Sequence, residues 1–241
     1  MTALKAHTLA EIRMTLKRGE SLLLTIGIPV MLLVFFSLVD VLPTTTAKPV
    51  DFLAPGVLAL AVMSTAMVAT AIATAFERQY GVLKRLGTTP LGRPNLLLAK
   101  IASVIVIEML QIIVLVIIGR LLGWHPTWSG IGIASVAVVL GTAAFGGIGL
   151  AMAGSWRAEM TLAGANGIYL VLLLISGMVI PLTKLPGPVR AVANLLPSAA
   201  LAEILHGVLT AGGTVSGRAW IVLVAWAVAM PLLAVRVFKW E

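Results

Sequence analysis

The sequence of 241 residues contains no cysteine, only three histidines and only nine acidic residues. The absence of cysteine excludes disulfide bonds, thiolate metal sites and cysteine nucleophiles. With so few histidines and acids, we can assemble neither a metal-binding cluster nor a catalytic triad, and no H-E-x-x-H motif is present. The phosphate loop G-x-x-x-x-G-K-[ST] is also missing. We therefore expect a protein that is not an enzyme and that binds neither a metal nor a cofactor by itself.

Charged residues are scarce as well, at 11% of the chain, whereas 60% of the residues are apolar and the mean hydropathy is +1.08. This much apolar surface cannot be buried in one water-soluble core, so we expect lipid to be the solvent. The apolar runs are continuous, which favours helices over the alternating strands of a transmembrane barrel. The net charge of +8 then indicates contact with anionic lipid headgroups, not with nucleic acid.

These features predict an all-α integral membrane protein with six transmembrane helices in a single domain, residues 1–241. A helix crosses the hydrocarbon core of about 30 Å with roughly 20 residues. The first apolar run is too long for a signal peptide, so we expect it to remain as a span. The predicted spans are Leu22–Val41, Phe52–Phe76, Ile101–Leu121, Ile131–Gly154, Met160–Ile180 and Ala219–Phe238.

Basic residues are concentrated in two segments, and this indicates the orientation of the chain. The amino-terminal segment and the segment between the second and third spans contribute Lys5, Arg13, Lys17, Arg18, Arg78, Lys84, Arg85, Arg93 and Lys100. The loops Pro43–Asp51 and Gly123–Gly130 together contain only Lys48. Because basic loops stay on the cytoplasmic side, we place both basic segments and both termini there.

Two segments outside the spans are predicted to form helices of their own. Residues 1–20 combine a capping box at Thr8 and Glu11 with an apolar face, which predicts an interfacial helix. Residues 181–217 are apolar but broken by prolines, and there we predict helices Pro188–Leu196 and Ser198–Leu209. These two helices would form an external, re-entrant hairpin that acts as a lid. A loosely packed surface loop is the alternative.

The longest charged interruption of the apolar sequence is Glu77–Lys100, between the second and third spans. From Arg78 onward, Tyr80, Leu83 and Leu86 recur at three-residue spacing, which predicts a short amphipathic helix. The following Gly-Thr-Thr-Pro sequence ends this helix before the next one begins. A rigid helix held between two spans can transmit a push to both of them. We therefore predict a cytoplasmic coupling segment.

The coupling segment reads Glu77-Arg78 at the membrane exit, then Gly81, Leu86, Thr89-Pro90 and an apolar Leu96–Lys100. This pattern resembles the signature of ABC-2 type permeases, the membrane subunits of ATP-binding-cassette exporters, and the resemblance extends over most of the chain. It implies an exporter in a bacterial inner membrane that moves an amphipathic small molecule, drug-like or antibiotic-like, or a lipid.

The resemblance also implies partners. The permease would pair with a second permease, identical or not, and with two cytoplasmic ATPase subunits that use ATP and magnesium. The residues implied to contact the ATPase are Glu77, Arg78, Tyr80, Gly81, Leu83, Lys84, Leu86, Thr89 and Pro90.

Polar and polarisable residues within the spans are candidates for a translocation pathway. Glu108 and Gln111 share one face of the third span. Glu108 indicates either a substrate or proton contact, or a carboxylate paired with a neighbouring arginine or amide. The resemblance implies that the second and fifth spans line a route between paired permeases. The candidates there are Met63, Met67, Thr70, Thr74, Asn166, Tyr169, Ser176 and Met178, although close helix packing explains such residues equally well.

Two other functions remain open. An ion-coupled secondary transporter would also place an isolated carboxylate such as Glu108 within a span, but such folds commonly break their helices near the midplane. A polysaccharide-exporting permease is less attractive, because sugar pathways favour aromatic stacking and only 6% of the residues are aromatic. Transport driven by an ion gradient instead of ATP would identify the first of these alternatives.

Overall fold

The computed structural model describes residues 19–39, 48–83 and 93–238 of the chain, and within these residues the fold is all helical, without a strand. The longer helices are α1 (Gly19–Leu38), α2 (Pro49–Gln79), α3 (Arg93–Leu121), α4 (Ile131–Ser155), α5 (Ala158–Ile175), α6 (Gly187–Ala193), α7 (Pro197–Leu209) and α8 (Gly217–Val237). One-turn 3₁₀ helices lie at Trp128–Gly130 and Leu182–Lys184. The all-α prediction is confirmed for this part of the chain. Of the predicted interfacial helix, residues 1–20, residues 1–18 lie outside the described residues, and residues 19 and 20 begin α1.

Five helices of the described chain are long and apolar enough to cross a membrane, namely α2, α3 from Leu98 onward, α4, α5 and α8. They correspond to the second through sixth predicted spans. Helix α1 overlaps the first predicted span from Leu22 to Leu38, and Thr25–Leu38 within it is a shorter apolar helix. The bent pair α6 and α7, with 87° between the helices, gives a sixth candidate if the pair is one broken span. The protein is therefore a multi-pass membrane protein.

The fifth predicted span, Met160–Ile180, extends too far, because α5 ends at Ile175. Gly177 has a φ of +78°, a left-handed conformation that ends a helix. The apolar residues that follow do not continue the span but turn back onto α2. A Cβ added at Gly56 would lie 1.9 Å from Met178 O, so only glycine allows this approach.

Helix α2 forms the centre of the fold, and α4 packs against it through glycines. A Cβ added at Gly149 of α4 would lie 2.5 Å from Met67 O of α2. On another side of α4, a Cβ at Gly147 would lie 2.6 Å from the backbone nitrogen of Pro231 in α8. The glycines of the fourth span therefore serve packing within the chain, where small residues let helix backbones approach closely.

The helices α6 and α7 correspond to the two helices predicted at Pro188–Leu196 and Ser198–Leu209, and we term this bent pair the hairpin. The ring nitrogens of His206 in α7 lie 2.7 Å from Ala202 O and 2.9 Å from Phe52 O of α2. The Trp226 indole of α8 donates to Leu195 O at 2.9 Å. Helix α7 is thus packed against α2, and the connection between α6 and α7 is bonded to α8, whereas most of α6 is exposed.

The two ends of the bundle have different structures. We term the end where α2 finishes and α3 begins the coupling face, because it carries the predicted coupling segment. The end that carries the α3–α4 loop is the opposite face. The hairpin lies at the opposite face, since Thr127 N of the α3–α4 loop donates to Leu209 O at the end of α7 at 3.0 Å.

Candidate coupling and translocation site

The coupling segment begins later in the structure than the sequence predicted. Helix α2 continues through Gln79, and a turn follows at Tyr80 and Gly81. Gly81 has a φ of +73°, which ends α2 and redirects the chain. The predicted amphipathic helix starting at Arg78 is therefore wrong in its start, because Arg78 belongs to the last turn of α2.

Three consecutive side chains clamp the end of α2 to its neighbours. Glu77 forms an ion pair with Lys100 of α3, with 2.6 Å between Oε2 and Nζ, and the side chains are only 15% and 4% exposed. Arg78 donates through Nη2 to the carbonyl oxygen of Trp156, in the turn between α4 and α5. Gln79 Nε2 donates to Glu159 Oε1 of α5 at 2.9 Å. These bonds join α2 to α3 and α5 at the coupling face.

Leu83, the last described residue of the coupling segment before α3, is completely buried. It packs in one apolar cluster with residues of three helices or their ends: Leu96 of α3, Leu150 of α4, Ala234 of α8 and Phe238 just after α8. We term this group the Leu83 cluster. A Cβ added at Gly154 of α4 would lie 2.8 Å from Phe238 Cα, so this glycine makes room for the chain end. The coupling segment is therefore anchored in the core of the permease.

Exposure separates the predicted coupling residues into two groups. Tyr80 is 73% exposed, and its neighbour Val82, which was not among the predicted residues, is 42% exposed, so both are accessible to a partner. Leu83 is buried and Glu77 is engaged with Lys100, so in this conformation neither presents its side chain to a partner, contrary to the direct contact expected of them. That Glu77 and Leu83 take part in coupling stays a prediction, and they would do so by anchoring the coupling segment to the permease. The predicted coupling residues Lys84, Leu86, Thr89 and Pro90 lie outside the described residues.

Gln111 of α3, a predicted pathway residue, joins three helices. Its Nε2 donates to Thr25 O of α1 at 2.7 Å, and its Oε1 accepts from Thr65 Oγ1 of α2 at 3.0 Å. Pro29 explains the first bond: proline has no N–H, so it cannot donate to the carbonyl four residues earlier, which is Thr25 O. Gln111 supplies a donor in its place. A structural role accounts for this buried amide without a substrate.

Glu108, one turn before Gln111, is also buried inside the bundle, with 1% of its surface exposed. Thr142 of α4 donates from Oγ1 to Glu108 Oε2. Within the described residues Glu108 Oε1 has no hydrogen-bond partner. The carboxyl group therefore meets a hydroxyl, not the arginine or amide considered from the sequence, and it does not face the outside of the bundle.

The candidate pathway residues of α2 lie inside the subunit. Met63, Met67 and Thr74 are fully buried and Thr70 is 7% exposed. Met67 lies within a π-helical segment, Ser64–Ala69, in the middle of the span, and Met63 and Thr70 flank it. In this segment Thr70 Oγ1 donates to Thr65 O at 3.1 Å, which supplies a hydroxyl to the widened turn. These residues do not line an outer surface in this conformation, so the packing interpretation explains their burial.

The remaining candidates come from the fifth predicted span and divide differently. Ser176 and Met178 are buried, and Ser176 Oγ accepts from Met178 N at 3.2 Å just after α5 ends. Asn166 is exposed and Tyr169 is half-buried on α5. Asn166 Nδ2 donates only to Leu162 O of its own helix, at 2.8 Å. Among the ten predicted pathway residues, these two reach the surface of the subunit.

The comparison with protein families gives one clear result: residues 2–210 match the model of the ABC-2 type transporter family. This chain belongs to the ABC-2 type transporter family. The resemblance drawn from the coupling segment is thus confirmed. The ABC-2 domain is the membrane domain of ABC-type transport subunits and carries no ATPase domain of its own. No curated protein sequence matches the chain.

Several residues that shape the site of this ABC-2 permease were not identified as site residues from the sequence. Lys100 was assigned to the basic loop, although its pairing with Glu77 could have been suggested by two opposite charges at the adjoining ends of neighbouring spans. Thr142, the partner of Glu108, carries no such signal because hydroxyl residues are common in spans. Phe238 lies far from Leu83 in sequence, and no local pattern predicts their contact.

Proposed function

We propose that this ABC-2 chain is the permease subunit of an ATP-driven exporter in a bacterial cytoplasmic membrane. A second permease, identical or not, completes the membrane part. A separate ATPase, which uses ATP and magnesium, binds at the coupling face, and that face lies in the cytoplasm. The observation that carries the proposal is the Leu83 cluster, which locks the coupling segment between α3, α4 and α8.

The anchoring supports a mechanical route from the ATPase to the spans. The ATPase contacts exposed residues such as Tyr80 and Val82, and their displacement moves Leu83 with them. Because Leu83 is packed against three helices and Glu77 is paired with Lys100, the ends of α2, α3, α4 and α8 move together. A close-packed interior responds to such a push by changing between discrete arrangements, which is what a transport cycle requires.

The π-helical segment of α2 gives this push a place to act. On the side of the coupling face, Thr70–Gln79 is clamped by its neighbours, and on the other side Pro49–Met63 is buried in the core. A π turn holds one residue more than an α turn and often marks a functional site within a helix. We assign Ser64–Ala69 as the hinge about which the lower part of α2 moves relative to the upper part.

The chemical nature of the cargo is inferred from the surface of α5, which the proposal places between the two permeases. This surface exposes large apolar side chains around one amide: Met160, Leu162, Leu170, Val171, Leu174 and Asn166. Such a wall binds an amphipathic molecule, because it offers broad apolar contact and one hydrogen-bonding group. A drug-like small molecule or a lipid fits this description better than a sugar chain does.

The proposal is tested by reconstituting the permease with its ATPase in vesicles and measuring movement of a fluorescent amphipathic dye and a fluorescent phospholipid. We expect transport with ATP and magnesium and none with a non-hydrolysable ATP analogue. Transport that follows a proton or sodium gradient without nucleotide would instead identify a secondary transporter, and the proposal would be wrong.

A sharper test reverses the ion pair at the coupling face. Glu77→Lys is expected to lower the amount of dye moved per ATP hydrolysed, and Glu77→Lys with Lys100→Glu is expected to restore part of it. The matched control is the ion pair between Glu203 and Arg218, 3.2 Å apart and remote from the coupling segment. Reversing that pair should leave the ratio unchanged. An equal loss from both pairs would contradict the coupling role of Glu77.

A further inference from the structure

A cluster of hydrogen-bond donors lies at the opposite face, where α3 ends. Arg120, in the last turn of α3, places Nη1 3.1 Å from Nδ1 of His125. Its guanidinium carbon lies 5.9 Å from the centre of the Trp128 ring, within the range of a cation–π contact. Arg120 and His125 are exposed, and Trp128 is 63% exposed. We term these three residues the Arg120 cluster.

The hydrogen bond assigns the donor and acceptor groups of the cluster. Arginine stays protonated and can only donate, so Nδ1 of His125 accepts and Nε2 of the neutral ring carries the proton. The remaining guanidinium N–H groups, the imidazole Nε2–H and the indole N–H of Trp128 are then all donors. A group of donors with a net positive charge selects an anion with several acceptor oxygens.

The loop that carries the cluster is held rigidly. Trp124 is 2% exposed and packs over Gly119, where an added Cβ would lie 2.9 Å from the indole ring. Gly123 adopts a φ of +88° in the turn between them. Gly130 fits against α7, since a Cβ there would lie 1.9 Å from Val208 O. The donors are therefore already ordered before a ligand arrives, which lowers the entropic cost of binding.

The charge of Arg120 is not neutralised by a carboxylate anywhere in residues 19–39, 48–83 and 93–238. Two ion pairs of the described residues, Glu77 with Lys100 and Glu203 with Arg218, do not include Arg120. Arg218 is a useful contrast: it lies at the start of α8 and donates to Glu203 Oε2 at 3.2 Å. Within the described residues, the partners of Arg120 are an imidazole nitrogen and an aromatic ring.

We propose that the Arg120 cluster binds the phosphate of a membrane phospholipid in the leaflet at the opposite face. The cluster sits where a span meets the membrane surface, which is the depth of lipid phosphates, and tryptophan prefers this interface. The planar guanidinium fork binds phosphate oxygens through two parallel hydrogen bonds. The acyl chains of the same lipid then lie along the exposed apolar residues Ile113 and Ile117 of α3. This site does not depend on the proposed export function.

The test is a lipid titration of the purified full-length chain, read by native mass spectrometry. The probes are dioctanoyl phosphatidylglycerol, dioctanoyl phosphatidylcholine and dioctanoylglycerol, which has the same chains without phosphate. We expect both phospholipids to bind and dioctanoylglycerol not to bind. Arg120→Gln is expected to weaken phospholipid binding about tenfold, the value of one strong charge-assisted hydrogen bond. Arg218→Gln, the matched control, is expected to leave it unchanged.

Other outcomes would overturn the proposal. Equal weakening by Arg120→Gln and Arg218→Gln would mean attraction by overall charge, and no weakening by Arg120→Gln would mean that the lipid binds elsewhere. Displacement of the lipid by inorganic phosphate at equal concentration would indicate a site for free phosphate. If Arg120→Gln does not fold, Arg120→Lys keeps the charge but loses the fork, and it should still weaken binding about threefold.

Discussion

Helices α2 and α8 are both apolar enough to cross a membrane, yet they occupy opposite environments. In the most apolar 18-residue stretch of each, 72% of α2 is buried within the chain but only 17% of α8. Helix α8 directs large side chains outward, with Ile221 71% exposed and Leu232 58% exposed. Apolarity therefore identifies both helices as spans but does not decide which of them lies in the centre.

Packing by small residues decides the position instead. In lipid, a leucine gains little by leaving the acyl chains, so helices associate where their backbones can approach closely. The centre of α2 is rich in fully buried alanines, including Ala59, Ala61 and Ala66. Glycines of α4 supply the matching surface, as the contact of Gly149 with Met67 O illustrates. The comparison of α2 with α8 thus predicts that substitutions in the two helices have different costs.

The largest expected effect is truncation of a large side chain in α2. Met67→Ala removes a fully buried side chain and is expected to cost about 2–5 kcal/mol of stability, because the rigid surroundings cannot close the cavity. Leu232→Ala in α8 is the matched control, since lipid fills the space that the exposed leucine leaves. Thermal unfolding of both variants in detergent measures the difference. Similar losses in both helices would contradict the central position of α2.

The next effect comes from enlarging a glycine of α4. Gly149→Ala places a methyl group 2.5 Å from Met67 O, and the two backbones must separate, at a cost of about 1–3 kcal/mol. Gly132→Ala in the same helix is the control, because no atom lies within 4 Å of the added Cβ. It should leave the unfolding temperature unchanged or raise it slightly. If Gly149→Ala leaves the unfolding temperature unchanged, α2 and α4 are not packed closely.

The sequence predicted much of the fold for identifiable physical reasons. Long apolar runs reveal spans regardless of their neighbours, so five helices agree with predicted spans. The end of α5 was misplaced because Met178–Ile180 are as apolar as a span, whereas the left-handed Gly177 is invisible to hydropathy. Prolines indicated the hairpin, because a proline inside a helix removes a backbone hydrogen bond.

The candidate site was predicted less well, since its properties depend on contacts between distant residues. The spacing of Tyr80, Leu83 and Leu86 suggested a face but could not reveal that Leu83 packs into the core. Glu108 and Gln111 were identified as polar residues within a span, yet their partners Thr142 and Thr65 lie on other helices. The need of Thr25 O for a donor could have been predicted from Pro29, but the donor could not.

A smaller effect tests how α1 is held to the core. Gln111→Leu removes the donor to Thr25 O and the acceptor for Thr65 Oγ1, and we expect a loss of about 1 kcal/mol, the usual size of a hydrogen bond between membrane helices. Pro29→Ala restores a backbone N–H that can donate to Thr25 O. In that background the cost of Gln111→Leu should fall. If Gln111→Leu lowers the stability equally with and without Pro29→Ala, Gln111 does not replace the donor that Pro29 lacks.

The smallest effect is expected at the exposed amide of α5. Asn166 donates only within its own helix, so Asn166→Leu should change the stability of the isolated subunit by less than about 0.5 kcal/mol.

The same substitution in the assembled transporter distinguishes two kinds of exposed surface. If α5 faces lipid as α8 does, Asn166→Leu should leave transport unchanged, because lipid offers the amide no hydrogen-bond partner that the substitution could remove. If α5 faces a second permease or the cargo, Asn166→Leu lowers transport while the matched substitution Val228→Ala on the exposed face of α8 does not. Equal transport by both variants would place α5 and α8 in the same class and remove α5 from the proposed route.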